Sequence, residues 1–149
     1  NDLVRQVLLL VERQIRTNNV TLKTSLSDDQ GLRVLADPIQ LQQVILNLIV
    51  NAIEAMSGSD ERARMLLIET RGYQTDSILL SIQDSGPGLD AKVIDRLFKP
   101  FVTTKPSGMG MGLSISKSIV EQHGGNLTAA SVKSQGALFQ IVLPRSGMN

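Results

Sequence analysis

Apolar residues recur at three- and four-residue spacing over residues 2–18, DLVRQVLLLVERQIRTN, and place Leu3, Val7, Leu10, Val11 and Ile15 on one side of a predicted helix. The next stretch, VTLKTSL at 20–26, alternates apolar and polar positions as a half-buried strand does, and RVLA at 33–36 reads as a second short strand. Asp37-Pro38 opens another helix, with Asp as N-cap, Pro at the first helical position and Gln40 at the third. It runs to about Met56 and stops at SGSD. MLLIETRGY (65–73) and SILLSIQ (77–83) read as neighbouring strands joined by a turn at 74–76. The loop DSGPG follows, then a short helix near 90–97 and the unpatterned segment FKPFVTTKPSGMGMG. LSISKSIVEQH (113–123) is a helix stopped by Gly124-Gly125, and NLTAASV and ALFQIVLP form a last hairpin across KSQG.

Helices interleaved with strand pairs predict an α/β sandwich of two layers, with a mixed sheet of about five or more strands and three main helices packed on one face. At 149 residues the chain is one domain, 1–149, large enough to bury a core. It starts without Met inside a helical pattern, so we expect it to be a piece of a longer protein.

Composition narrows the chemistry. Fifteen basic and fourteen acidic residues leave a charge of +1, and aromatic residues make up 3%, so there is no electrostatic or stacking case for nucleic acid. The absence of cysteine removes disulfides, thiol catalysis and thiolate metal sites, and fits a cytoplasmic setting. The N-terminal apolar run VLLLV is far below the ~18–20 residues that span a bilayer, so no membrane contact by this region is expected.

Three segments carry candidate chemistry. In VILNLIVNAIEAM (44–56) the apolar positions form a core face, while Asn47, Asn51 and Glu54 form a polar stripe beside it. An Asn carbonyl is a neutral oxygen ligand that Mg²⁺ accepts alongside phosphates and water; two satisfied structural amides are the alternative. In QDSGPGL, Asp84 stands at a strand end before Gly86 and Gly88, where a carboxylate can accept from an exocyclic amine, or simply shape a tight turn. In KPSGMGMGLSIS, Gly108, Gly110 and Gly112 lead into a helix, whose free N–H groups suit phosphate; a flexible surface loop explains them too. No G-x-x-x-x-G-K-[ST] loop occurs, and Leu113 replaces the last glycine of G-x-G-x-x-G.

These segments, with LFKPF (97–101) between the last two, resemble in order and separation the catalytic ATP-binding domain of sensor histidine kinases, part of the Bergerat-fold group that includes gyrase B, Hsp90 and MutL. NLIVNAIEAM resembles the N box, DSGPG the first glycine box, LFKPF the F box and GMGMGLSIS the second glycine box. The resemblance covers residues 1–145 and is nearest to the subgroup of FixL and nitrogen-regulation kinases. It implies that Asn51 holds Mg²⁺ on the ATP phosphates, with Asn47 contacting phosphate or metal-bound water. It implies that Asp84 accepts from the adenine amino group in a pocket shaped by Gly86 and Gly88, and that Phe98 and Phe101 anchor the base of a lid. Gly108, Gly110, Gly112 and the Leu113 amide would wrap the phosphates, with Thr103, Thr104 and Lys105 on the lid near the γ-phosphate. Lys105 is the expected cation, because Glu54 stands where many relatives carry a basic residue.

The implied activity is γ-phosphoryl transfer from ATP to a histidine on a separate dimerisation domain of the same kinase, with sensor and dimerisation domains upstream and a response regulator downstream. Hydrolysing relatives carry glutamate where Asn47 stands, and an amide cannot act as general base. An ATP-hydrolysing clamp and a non-catalytic nucleotide-binding module are the alternatives. The one histidine, His123, is expected to serve structure at a helix C-terminus, and the isolated domain is expected to be a monomer.

Overall fold

The computed structural model describes residues 1–58, 63–100, 112–132 and 136–147. Helix α1 (Asp2–Thr17) leads to strand β1 (Val20–Leu26), and helix α2 (Pro38–Ser57) to the hairpin β2 (Arg64–Tyr73) and β3 (Ser77–Asp84). The one-turn helix α3 (Ala91–Ile94) precedes helix α4 (Gly112–Gln122), and the hairpin β4 (Asn126–Val132) and β5 (Gly136–Pro144) completes the set.

The strands form one sheet in the order β1-β2-β3-β5-β4. β1 and β2 are parallel, as the crossover through α2 requires, and the other pairs are antiparallel. Cross-strand partners Leu22, Leu66 and Asp84, then Ile68, Ile82 and Phe139, then Leu80, Ile141 and Leu127, line up on one face. That face meets α1, α2 and α4 in a core that includes Val7, Val11, Val44, Leu48, Ile49, Ile53 and Val120. The mixed five-stranded sheet with three main helices on one side agrees with the expectation from hydrophobic patterning.

Helix α2 is the centre of the helical layer, touching α1 on one flank, α4 on the other and β2 and β3 beneath. Its start is fixed as its sequence indicates: the Asp37 carboxylate accepts from the N–H groups of Ile39 at 2.9 Å and Gln40 at 3.3 Å, and Pro38 follows. By length and apolar composition α2 would pass for a membrane span, but its apolar side is the protein core.

Two local expectations fail. RVLA is not a strand: the carbonyl of Arg33 takes the N–H of Ser146 at 2.7 Å and its hydroxyl at 3.1 Å, and no ladder follows. Val34 and Ala36 lean on the core while Leu35 is 90% exposed, so the alternation is that of a segment with one side against the core rather than of a strand paired at a sheet edge. On α1 the buried stripe is Val4, Val7, Val11 and Ile15, and Leu10 stays 59% exposed. The run LLL offers several helical registers, and packing against α2 selects the valine one.

Candidate functional site

One side of α2 is flanked at both ends by glycines from other segments. At Asn47 it meets the start of α4, where a Cβ added to Gly112 would lie 2.8 Å from the Asn47 Oδ1 and 3.1 Å from its Nδ2. Only glycine allows that approach. At Ala55 it meets the turn after β3, where a Cβ on Gly86 would lie 3.3 Å from the Ala55 carbonyl oxygen and 3.0 Å from the Asp84 Oδ1. Asn51 lies one helical turn from each. At 1.5 Å per residue the two contacts are about 12 Å apart, the scale of a nucleotide from base to terminal phosphate. Asn47 and Asn51 are half-buried and Glu54 is exposed. The Asn47 Nδ2 donates to the hydroxyl of Ser116 on α4 at 3.1 Å.

At the other end Asp84 is buried, 3% exposed, at the close of β3. Its Oδ1 accepts from the N–H of Gly86 at 2.8 Å and of Ala137, on β5, at 3.3 Å. Burial raises the carboxyl above its usual 3.8 and these two N–H bonds pull it back only partly. No described residue hydrogen-bonds Oδ2. A buried carboxylate with one oxygen braced and the other open is ready to accept from an amine donor. Gly136 makes this possible: at φ +91° it packs on the Asp84 backbone carbonyl so closely that no side chain fits. Gly88 faces the Ser131 hydroxyl, which also accepts from the N–H of Leu89 at 3.1 Å.

Of the F-box residues, Phe98 is half-buried beneath Lys117 of α4, whose Nζ stands 4.9 Å from the ring centroid. The same ammonium donates to the Leu127 carbonyl at 2.9 Å and to Asn126 Oδ1 at 3.2 Å, and so ties the turn after α3 to α4 and β4. Leu113 packs partly buried against the core. Phe101, Thr103, Thr104, Lys105, Gly108 and Gly110 lie outside the described residues.

His123 joins α4 to the start of α2. Its Nε2 accepts from the N–H of Asp37 at 3.0 Å and its Nδ1 donates to the Ile119 carbonyl at 2.7 Å. Both bonds require a neutral ring protonated at Nδ1. The role is structural, as expected, but the ring serves as an acceptor for another helix as well as a donor to its own.

Sequence patterning brings Asn47, Asn51, Asp84, Gly86, Gly88 and Gly112 to one region. It misses Ser116, Lys117, Ser131 and Gly136. Gly136, in the hairpin turn after KSQ, was the only visible signal among them, and which strand it would abut depends on the register of β3 and β5. Among the described residues no three His, Cys, Asp or Glu side chains gather as a metal site. Neutral Asn oxygens are instead a donor set for an ion that keeps phosphate and water ligands, as Mg²⁺ does.

Comparison with known proteins adds the family. Residues 36–147 match the family described as histidine kinase-, DNA gyrase B- and HSP90-like ATPase. Sensor protein FixL of Bradyrhizobium diazoefficiens is 46% identical over 134 residues, 90% of this chain and 26% of that protein. The catalytic domain of histidine kinase ThkA superposes with a TM-score of 0.84 at 34% identity, over 97% of this chain and 91% of that one. Full-length ShkA in complex with AMPPNP gives a TM-score of 0.84 at 26% identity, over 99% of this chain and 30% of that one. The chain thus spans about a quarter of the length of FixL but nearly the whole of a histidine-kinase catalytic domain. With the N-box helix, the Asp84 turn and the start of α4 arranged around one another, it belongs to the histidine kinase-, DNA gyrase B- and HSP90-like ATPase family, as a catalytic domain of the histidine-kinase kind.

Proposed function

We propose that residues 1–149 form one catalytic domain that binds ATP with Mg²⁺ and donates the γ-phosphoryl group to a histidine on a separate dimerisation domain of the same kinase, which then serves a response regulator. The observation that carries this reading is the span of α2 between Gly86 and Gly112, with a braced, half-open carboxylate at one end and a helix start at the other. The AMPPNP held by ShkA supports a nucleotide as occupant.

In this reading the open oxygen of Asp84 accepts from the adenine amino group, and Gly86 and Gly88 keep the pocket walls low. The first N–H groups of α4, at Gly112 and Leu113, point donors and the positive helix end toward the phosphates. Asn51 would hold Mg²⁺, with Asn47 contacting phosphate or bound water; the ion would offset phosphate charge. Phe98 and Phe101 would anchor the segment that carries Thr103, Thr104, Lys105, Gly108 and Gly110, and Lys105 would supply a cation to the γ-phosphate, as the resemblance implies. Asn47 cannot take a proton from water, which favours transfer to a protein acceptor over hydrolysis.

The decisive experiment mixes the domain with labelled ATP and a dimerisation domain carrying the acceptor histidine. Transfer of label to that partner, with little release of phosphate by the domain alone, is expected. Rapid hydrolysis by the domain alone would instead favour the clamp-type ATPase, and binding without either reaction a non-catalytic module. Asn51→Ala should abolish transfer while weakening nucleotide binding less; normal transfer by this variant would overturn the metal assignment.

A further inference from the structure

Ser116 closes the segment GMGMGLSIS but has no role among the candidate site residues, and nothing in the sequence pattern distinguishes it from the other serines of LSISKS. Yet it is 3% exposed on α4 and receives the Nδ2 of Asn47 at 3.1 Å. A buried serine in a helix interior gains little from that position on helix propensity alone. Asn47 in turn lies flat against Gly112, one helical turn before Ser116 on α4. The amide is therefore held from two sides by the same turn of α4: backbone at Gly112 and hydroxyl at Ser116. An Asn side chain left to rotate would present its carbonyl or its amino group to the site with similar ease, and only a fixed partner selects one.

We infer that Ser116 is a positioning residue for the phosphate end of the site: by engaging the Asn47 amino group it leaves the Asn47 carbonyl oxygen to accept from the water of the phosphate-bound Mg²⁺ and ties the first turn of α4 to the Asn stripe of α2. The inference rests on the proposed ATP·Mg²⁺ site and adds the residue that sets the orientation of one of its members. It also explains why glycine stands at 112: any side chain there would push the amide off the serine. Ser116 touches no nucleotide in this scheme and acts through Asn47.

Equilibrium binding by the isolated chain tests this, with ATP measured once in Mg²⁺ and once in EDTA, for the wild type, Ser116→Ala, Asn47→Ala and the double variant. The loss of one hydrogen bond predicts about a fivefold weaker affinity for Ser116→Ala in Mg²⁺ and a much smaller change in EDTA. In the Asn47→Ala background the serine substitution should change affinity by less than about twofold, because its only route is gone. The side-chain amide resonances of Asn47 should shift in Ser116→Ala without nucleotide. Equal losses with and without Mg²⁺, or a full additive loss in the double variant, would overturn the positioning role and leave the ATP site standing. If Asn51→Ala and Asn47→Ala both bind ATP in Mg²⁺ as the wild type does, the site reading itself fails, and this inference with it.

Discussion

At the scale of single residues, Asp84 separates function from stability. Its carboxyl is raised above 3.8 by burial, so between that value and its folded-state value the native protein keeps a proton that the unfolded chain has released. Stability therefore falls as pH rises through this window and stays flat above it, which makes the ionised Asp84 a cost at neutral pH. Asp84→Asn keeps an oxygen for the N–H groups of Gly86 and Ala137 and removes the charge. We expect its thermal midpoint to equal or exceed that of the wild type. Its nucleotide affinity should drop on the order of tenfold or more, because an amino group would face the adenine amine where a charged acceptor stood. Calorimetry on both properties checks the pair. His123 behaves in the opposite sense. Losing its bonds to Asp37 and Ile119 in His123→Ala should cost about 1–2 kcal/mol in urea unfolding. Nitrogen NMR should find its ring protonated at Nδ1 rather than Nε2.

At the scale of elements, α2 and α4 act as a pair. Gly112→Ala places a methyl group within 2.8 Å of Asn47, so the amide must leave Ser116 or α4 must shift. Titration with ATP in Mg²⁺ should show a loss at least as large as that of Ser116→Ala, while the helix content by circular dichroism stays near that of the wild type. Much of this pairing was legible beforehand. The cap at Asp37, the polar stripe on α2 and the glycine stop of α4 are written in local chemistry, and local chemistry survives folding. RVLA was misread because a strand needs a neighbour's free edge, which no run of residues can announce. Ser116 and Gly136 were missed for a related reason: each is defined by what lies against it from 69 and 52 residues away, Asn47 and Asp84 respectively.

At the scale of the whole molecule, the sheet order decides how the site is completed. β5 lies between β3 and β4, so the last strand in the chain is an interior strand, and it supplies the Ala137 N–H to Asp84 and the glycine against which that residue packs. The N-terminal helix, the Asn stripe and the Asp84 turn can all be present while this wall is still missing. Chain synthesis runs from the N-terminus, and α1, β1, α2, β2 and β3 leave the ribosome before β5 does. During that interval β3 has an open edge and its terminal carboxylate has one brace instead of two. A growing chain thus lacks the second brace on Asp84 and the glycine it packs on until β5 has emerged, so a nucleotide taken up in the proposed site can select only for chains in which this strand has already been made.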